Sequence, residues 1–347
     1  MSRLRSFFAW QLEPSIWHLK TMHPAFSVIF LTTLIGAGQG LFLALFTGQL
    51  YASIKLIAPQ SAEFYAIGSG LSLALLIAGL GASFFHLGRP ERAWRAASKW
   101  RTSWLSREVI VLPAMMAVVF FYGLFHGIGW TQPFFVAGGG TLPVDITFIL
   151  GIIGTLVAFG LFVCTAMIYA SVKFLEEWHS PYTVANFTFL GMASGFMLAA
   201  AFSAYFGNHL VGFYGTWAVI FTLIGLGTRA ASLVRNATLK HKSTLQTAIG
   251  VRHRAIEQKS QGFTAGSFNT REFFHHKGPD TLRLVRLLFL VLVFPVPVLL
   301  IGVAYVLQSS TLPIVAFLVQ YLGLVAERWY FFAEARHPQN LYYQSVA

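Results

Sequence analysis

Cysteine is almost absent from this chain of 347 residues, which has only Cys164. One cysteine excludes an intrachain disulfide and an iron–sulfur site, so any cluster that works with the chain must lie in a partner. Charge is also scarce, since 10% of the residues are charged, against about a quarter in soluble domains. The mean hydropathy is +0.65. These values exclude an ordinary soluble domain.

Motifs of nucleotide and hydrolytic chemistry are missing too, because the sequence contains no Walker loop, dinucleotide fingerprint or serine-hydrolase elbow. Long apolar runs are present instead. A bilayer crossing needs about 20 apolar residues, and lipid admits only helices or closed barrels, whose strands would be shorter. The sequence therefore predicts an all-α polytopic membrane protein with eight transmembrane helices, at Phe26–Thr47, Phe64–Phe85, Val109–Ile128, Ile146–Ile168, Val184–Tyr205, Phe213–Leu233, Leu284–Leu307 and Leu312–Phe332.

Basic residues are distributed unevenly across the expected membrane. With eight spans, both termini and the second, fourth and sixth loops share one side, which holds every Lys and Arg except Lys55. The positive-inside rule then places both termini in the cytoplasm of a bacterial inner membrane. The net charge of +12 thus indicates topology and not nucleic-acid binding. We expect a cytoplasmic interfacial segment at 1–25, a membrane domain at 26–333 with partner-docking loops at 87–107 and 234–283, and a cytoplasmic tail at 334–347.

The stretch Ser83–Val109, SFFHLGRPERAWRAASKWRTSWLSREV, concentrates polar residues at one membrane edge. Singly these have structural explanations: Gly88 can end a helix and Ser106 can cap the next one. His86 and Glu108 together are harder to explain, because they lie at the same ends of consecutive antiparallel helices and so at similar depth. An imidazole beside a carboxylate suits the proton-coupled chemistry of a quinone. We therefore predict a quinone site at this pair.

Three segments carry a family resemblance: MHPAFSVIFLTTLIGAGQGLF at the first span, FFHLGRPERAWRA and SWLSREV. They resemble the membrane anchor subunits of the DMSO reductase family. The resemblance implies two partners, a catalytic subunit with a molybdenum bis-guanine-dinucleotide cofactor and a ferredoxin-like subunit with four [4Fe–4S] clusters. It assigns ubiquinone or menaquinone to His86, in the His-Leu-Gly motif, and to Glu108, in the Leu-Ser-x-Glu pattern. Arg89 and Arg107 are close enough in sequence to contact the quinone head group.

Within that family, HLGRPERAWRA, TLQTAIGVRH and GSFNTREFFH are most similar to the anchors of cytoplasmic, quinone-linked sulfite dehydrogenases. This implies that electrons from sulfite oxidation pass through the clusters to the quinone. An anchor that oxidises quinol for a reductase is the alternative. The long loop 234–283 suits either an acidic protein partner or anionic lipid. The residues expected to dock the iron–sulfur and molybdopterin subunits on the cytoplasmic side are Arg92, Arg95, Arg101, Arg252, Arg254 and Arg271.

Two other classes of protein stay open at this point. A transporter is favoured by Pro295 and Pro297, which interrupt the seventh span, although we expect no acid or base deep in any span. A tether without a quinone site is the other class. Haem would need two facing histidines, and the candidates, His126 and His209, are expected at solvated outer ends. No haem is therefore expected.

Several remaining polar and small residues have packing explanations. Gln39 lies within the first span, where an interhelical hydrogen bond is expected. Asp145 precedes the fourth span and is predicted to cap it. Two glycine pairs in GxxxG spacing predict close helix crossings, namely Gly36 with Gly40 and Gly191 with Gly195.

Overall fold

The structure is a computed structural model. It describes residues 26–338 apart from His86, Gly88, Arg89, residues 139–141, His241, Arg254 and residues 257–277. The α-helices within that part of the chain are α1 (Phe26–Ser53), α2 (Ala62–Phe84), α3 (Trp104–Gly127), α4 (Ile146–Ala170), α5 (Pro181–Phe206), α6 (Val211–Thr238), the short α7 (Leu245–Ile249), α8 (Pro279–Val293), α9 (Pro295–Leu307) and α10 (Leu312–Glu334).

The helix bundle has two chemically different ends. What we call the basic end carries a 3-10 helix, Pro90–Lys99, together with the α4–α5 connection and α7. The opposite end carries a second 3-10 helix, Asn208–Leu210, and a small antiparallel hairpin of β1 (Phe135–Ala137) and β2 (Leu142–Val144). The first turn of α1 and the last turn of α10 both lie at the basic end, because an even number of spans returns the chain to its starting side.

Eight helical units among the described residues are long and apolar enough to cross a membrane. They are α1 to α5, α6 with its preceding 3-10 turn, α8 together with α9, and α10. Each predicted apolar segment lies within one of these units to within a residue, so the prediction of a mostly helical chain with eight candidate spans is confirmed. Most helices extend past their apolar run by several residues, because polar residues at the interface continue the hydrogen-bonding of the helix.

The centre of the bundle is formed by α1 and α5, which are buried over most of their length while the other spans expose a face. They cross at the predicted glycines: a Cβ on Gly36 would lie 3.5 Å from the Gly191 Cα, and one on Gly40 would lie 3.0 Å from the Gly195 Cα. The packing predicted from GxxxG spacing is therefore confirmed. Gln39 is buried beside this crossing, but its Oε1 accepts no hydrogen bond from the described residues, so the expected interhelical bond is not seen at that atom.

The seventh span is interrupted between α8 and α9, as Pro295 and Pro297 predicted. Proline has no N–H, so the Val293 carbonyl loses the donor that residue 297 would normally supply. Gln320 of α10 replaces it: its Nε2 donates to the Val293 carbonyl over 3.2 Å and to the Thr222 hydroxyl over 3.0 Å. A neighbouring span thus satisfies a carbonyl that lipid could not. The break has a packing explanation and needs no substrate path.

Helix caps explain where two of the spans begin. Asp145 Oδ1 accepts the Phe148 amide over 2.8 Å, which confirms the predicted cap of α4. For α3 the cap is Ser103, whose side chain accepts the Ser106 amide over 3.4 Å. The prediction that Ser106 is the cap is therefore wrong. The helix begins three residues earlier because Ser103, and not Ser106, has the extended backbone that an N-cap needs.

Candidate functional site

Glu108 is a buried carboxylate near the basic end of the bundle. Since α3 begins at Trp104, the acid lies in the second turn and not at the helix start, and it is only 5% exposed. The Thr165 hydroxyl of α4 donates to Glu108 Oε1 over 2.5 Å. An acid at this depth is costly unless it is partnered, and such acids mark functional sites in membrane proteins. The antiparallel contact of α3 with α4 supplies the partner.

Arg107, next to Glu108, is directed toward the loop that precedes α3. Its Nε donates to the Trp100 carbonyl and its Nη2 to the Arg101 carbonyl, each over 2.9 Å. Its guanidinium also lies over the Trp104 ring, 4.1 Å from the centroid. These contacts fix the turn between the 3-10 helix and α3. The structure does not bring Arg107 into hydrogen-bonding contact with Glu108.

The other two predicted quinone contacts, His86 and Arg89, lie outside the described residues. Phe85, the last described residue before His86, borders a groove of about 710 Å³ between α1 and α2 at the basic end. The groove is lined mainly by apolar side chains and small residues.

An aromatic cluster surrounds the last turn of α4 at the same end. The Tyr169 ring stacks on Phe187 at 5.6 Å and meets Trp178 edge-on at 5.4 Å and Phe331 at 5.7 Å. Trp178 is fixed in turn, because its Nε1 donates to the Phe331 carbonyl over 2.9 Å. The cluster joins α4, α5 and α10 one helical turn from Thr165.

A buried ion network, missed by the sequence reasoning, joins α6 to α10. Arg229 Nε lies 2.9 Å from Glu327 Oε1, and Arg328 Nε lies 2.6 Å from Glu327 Oε2. Arg229 also approaches Glu334 at 3.8 Å. Three of these residues are 4% exposed or less, and they lie in the half of each helix nearer the basic end. The signal was in the sequence: Arg229 lies inside one predicted apolar run, and the Glu327–Arg328 pair inside another.

The predicted docking arginines are accessible where the structure describes them. Arg92, Arg95 and Arg101 are exposed on the 3-10 helix and the turn after it, and Arg252 is exposed beyond α7. Arg92 Nε lies 3.7 Å from the carboxylate of its neighbour Glu91. Two further predicted docking residues, Arg254 and Arg271, lie outside the described residues.

The two histidines considered for haem are in different surroundings at the opposite end. His126 is buried, which corrects the expectation of a solvated position, and its ring packs on Tyr65 at 4.5 Å and on Tyr122 at 4.7 Å. His209 is exposed in the second 3-10 helix. Nearby, the Tyr122 hydroxyl donates to Gln49 Oε1 over 2.8 Å. This hydrogen bond connects α1 to α3.

The comparison with protein families identifies a family for nearly the whole chain. Residues 19–343 match the family described as DMSO reductase anchor subunit (DmsC). The chain belongs to this family. This anchor is also 69% identical over 326 residues to the C subunit of sulfite dehydrogenase from Allochromatium vinosum, covering 94% of this chain and all of that protein. Membership in a family of membrane anchors favours the anchor over the transporter.

Proposed function

We propose that this anchor subunit exchanges electrons between an iron–sulfur partner and the quinone pool, in the direction of sulfite oxidation. The observation that carries the proposal is Glu108, a buried carboxylate held by Thr165 at the basic end. It lies on the helix that follows the His-Leu-Gly motif of residues 86–88. The direction is supported by the sulfite dehydrogenase protein that shares 69% of its residues.

The proposed orientation places the basic end, and with it both termini, in the cytoplasm of the bacterial inner membrane. This rests on the loops of that end, which hold nearly all the Lys and Arg residues. Arg92, Arg95, Arg101 and Arg252 are exposed there, and complementary charge would steer an acidic partner to them. That partner would be a four-cluster iron–sulfur subunit, followed by a molybdopterin catalytic subunit.

The residues at the basic end fit a quinone in two respects. An apolar groove of about 710 Å³ borders Phe85, and its lining suits an isoprenoid tail. Glu108 offers a carboxylate that can hold a proton near a polar head group. When bound, ubiquinone or menaquinone supplies a carrier of two electrons and two protons. His86 would donate a hydrogen bond to a carbonyl of the head group, Glu108 would pass protons, and Arg89 and Arg107 would line the aqueous side.

The test uses the complex purified with this chain in mild detergent, where molybdenum and iron should co-purify. His86→Ala and Glu108→Gln should lower sulfite-to-quinone turnover about 100-fold or more, since general acid–base groups contribute at least that much. Sulfite-to-dye turnover should be unchanged, because a dye accepts electrons before the anchor. Glu63→Gln is the control, as this acid is exposed in the first turn of α2 at the opposite end.

Each alternative predicts a different result from this set of variants. A tether without a quinone site predicts normal quinone turnover in both variants, with assembly preserved. A quinol-oxidising reductase anchor, the reaction that the family description suggests, predicts no sulfite activity but electron flow from quinol to the catalytic subunit. Complexes without molybdenum or iron would overturn the proposal altogether.

A further inference from the structure

The geometry points to Tyr169 as the residue that carries protons between water at the basic end and the Glu108 carboxylate. This inference rests on the proposed function, in which Glu108 serves a quinone, and adds the route by which Glu108 is supplied. Glu108 needs such a route because it is buried between α3 and α4. It must therefore exchange protons through a neighbouring group.

Tyr169 lies nearer the basic end of α4 than Thr165, the residue that holds Glu108. Thr165 and Tyr169 are four residues apart on α4, so their side chains share one face of that helix. Thr165 holds Glu108, and Tyr169 is one turn nearer the basic end, where α4 ends at Ala170. Tyr169 is partly exposed, whereas Glu108 is buried. Along α4, Tyr169 is therefore nearer the surface at the basic end than Thr165 is.

The directions of the two helices bring these side chains toward each other. A helical side chain leans toward the N-terminus of its helix. On α3 that direction leads from Glu108 toward the basic end, and on the antiparallel α4 it leads from Tyr169 into the membrane. In agreement with this convergence, Glu108 and Arg328 are both within electrostatic range of the Tyr169 hydroxyl.

The aromatic cluster holds the tyrosine ring and leaves the hydroxyl as its one reactive group. Phe187, Trp178 and Phe331 contact the ring at centroid distances of 5.4 to 5.7 Å. Arg328 packs over Phe187, 3.9 Å from the centroid, on the side of α10. Because these contacts are to the ring, removing the hydroxyl alone should leave the cluster intact.

The proposed step moves protons without electrons. After Glu108 has given up its proton toward the bound quinone, its carboxylate takes the phenolic proton of Tyr169. In the same step the Tyr169 oxygen takes a proton from water at the basic end. One O–H bond of the tyrosine breaks as another forms, so the residue is unchanged. The buried acid Glu327 is a poorer carrier, because both its oxygens are engaged by Arg229 and Arg328.

The test compares four variants of the purified complex: Tyr169→Phe, Tyr169→His, Glu108→Gln and the control Tyr182→Phe, an exposed tyrosine at the start of α5. The kcat and KM for quinone would be measured in H2O and D2O, beside dye turnover. Tyr169→Phe should lower kcat about 100-fold, the lower range for a lost proton-transfer group. KM and dye turnover should be unchanged, and the D2O effect should increase. Tyr169→His should recover part of the rate, because imidazole can relay protons.

The outcomes separate this inference from the function on which it rests. If Tyr169 served only in packing, the quinone kcat of the variants would have the reverse order, with Tyr169→Phe active and Tyr169→His impaired. That order would overturn the inference. Normal kcat in Tyr169→Phe, with Glu108→Gln inactive, overturns it as well and leaves the proposed function standing. Normal quinone turnover in both Tyr169→Phe and Glu108→Gln overturns the proposed function first.

Discussion

The ion network between α6 and α10 predicts an unequal response to removal of its charges. Glu327 pairs with Arg229 at 2.9 Å and with Arg328 at 2.6 Å, all three almost fully buried. Glu327→Gln leaves two buried cations without their shared anion. Removing one partner from a buried pair costs about 3–5 kcal/mol. We expect the free energy of unfolding of Glu327→Gln to fall by an amount near the upper end of this range. Arg229→Met keeps the Glu327–Arg328 pair. The carboxylate that loses its contact with a cation is then that of Glu334, which is 15% exposed. The free energy of unfolding should therefore fall by less than about 3 kcal/mol.

The measurement is the free energy of unfolding of the purified chain in mixed micelles, titrated with a denaturing detergent. Glu91→Gln is the control, because its contact with Arg92 is exposed, and exposed pairs contribute little. A loss in Glu327→Gln no larger than that in Arg229→Met would refute the reasoning from charge balance. If Glu327→Gln had the same unfolding free energy as Glu91→Gln, the ion network would contribute nothing to stability.

Two further predictions concern helix packing and pH. Gly195→Val should destabilise the bundle by about 3 kcal/mol or more, because any Cβ at this position clashes with the α1 backbone at Gly40. Gly227→Val is the control, since a Cβ on Gly227 would meet open space. Equal thermal stability of the two variants would contradict this prediction. Burial lowers the pKa of His337, which packs beside Phe174 at 5.2 Å. The folded chain thus favours the neutral ring, so the stability from this contact is complete above about pH 6.5 and is lost as the pH falls below it. Amide exchange of the 335–338 segment, corrected for intrinsic rates, should be faster at pH 5.5 than at pH 7.5; equal protection would exclude a role for His337.

The architecture could be predicted from the sequence because lipid leaves few choices. A run such as Ile146–Ile168 must form a helix, since its backbone groups have no other partners in the bilayer. The α1–α5 crossing was predictable for the same kind of local reason, because glycines in GxxxG spacing permit close approach. The interruption at Pro295 follows from a missing N–H.

The partners of the polar groups could not be predicted, because they come from residues far apart in the sequence. Nothing local to Glu108 indicates that Thr165 holds it, and nothing near Val293 indicates that Gln320 satisfies its carbonyl. The start of α3 was misplaced because Ser103 and Ser106 have the same capping chemistry, and only the backbone conformation distinguishes them.

The position of α1 at the centre of the bundle has a consequence for biosynthesis. Its glycine face is completed by α5, and Gly40 and Gly195 are 155 positions apart in the sequence (195 − 40). At about 5–20 residues per second, the ribosome needs about 8 to 30 s to make that intervening chain. During this interval α1 has been made but lacks its main partner. Its exposed glycine face is then a natural place for an insertase or chaperone to hold the nascent chain.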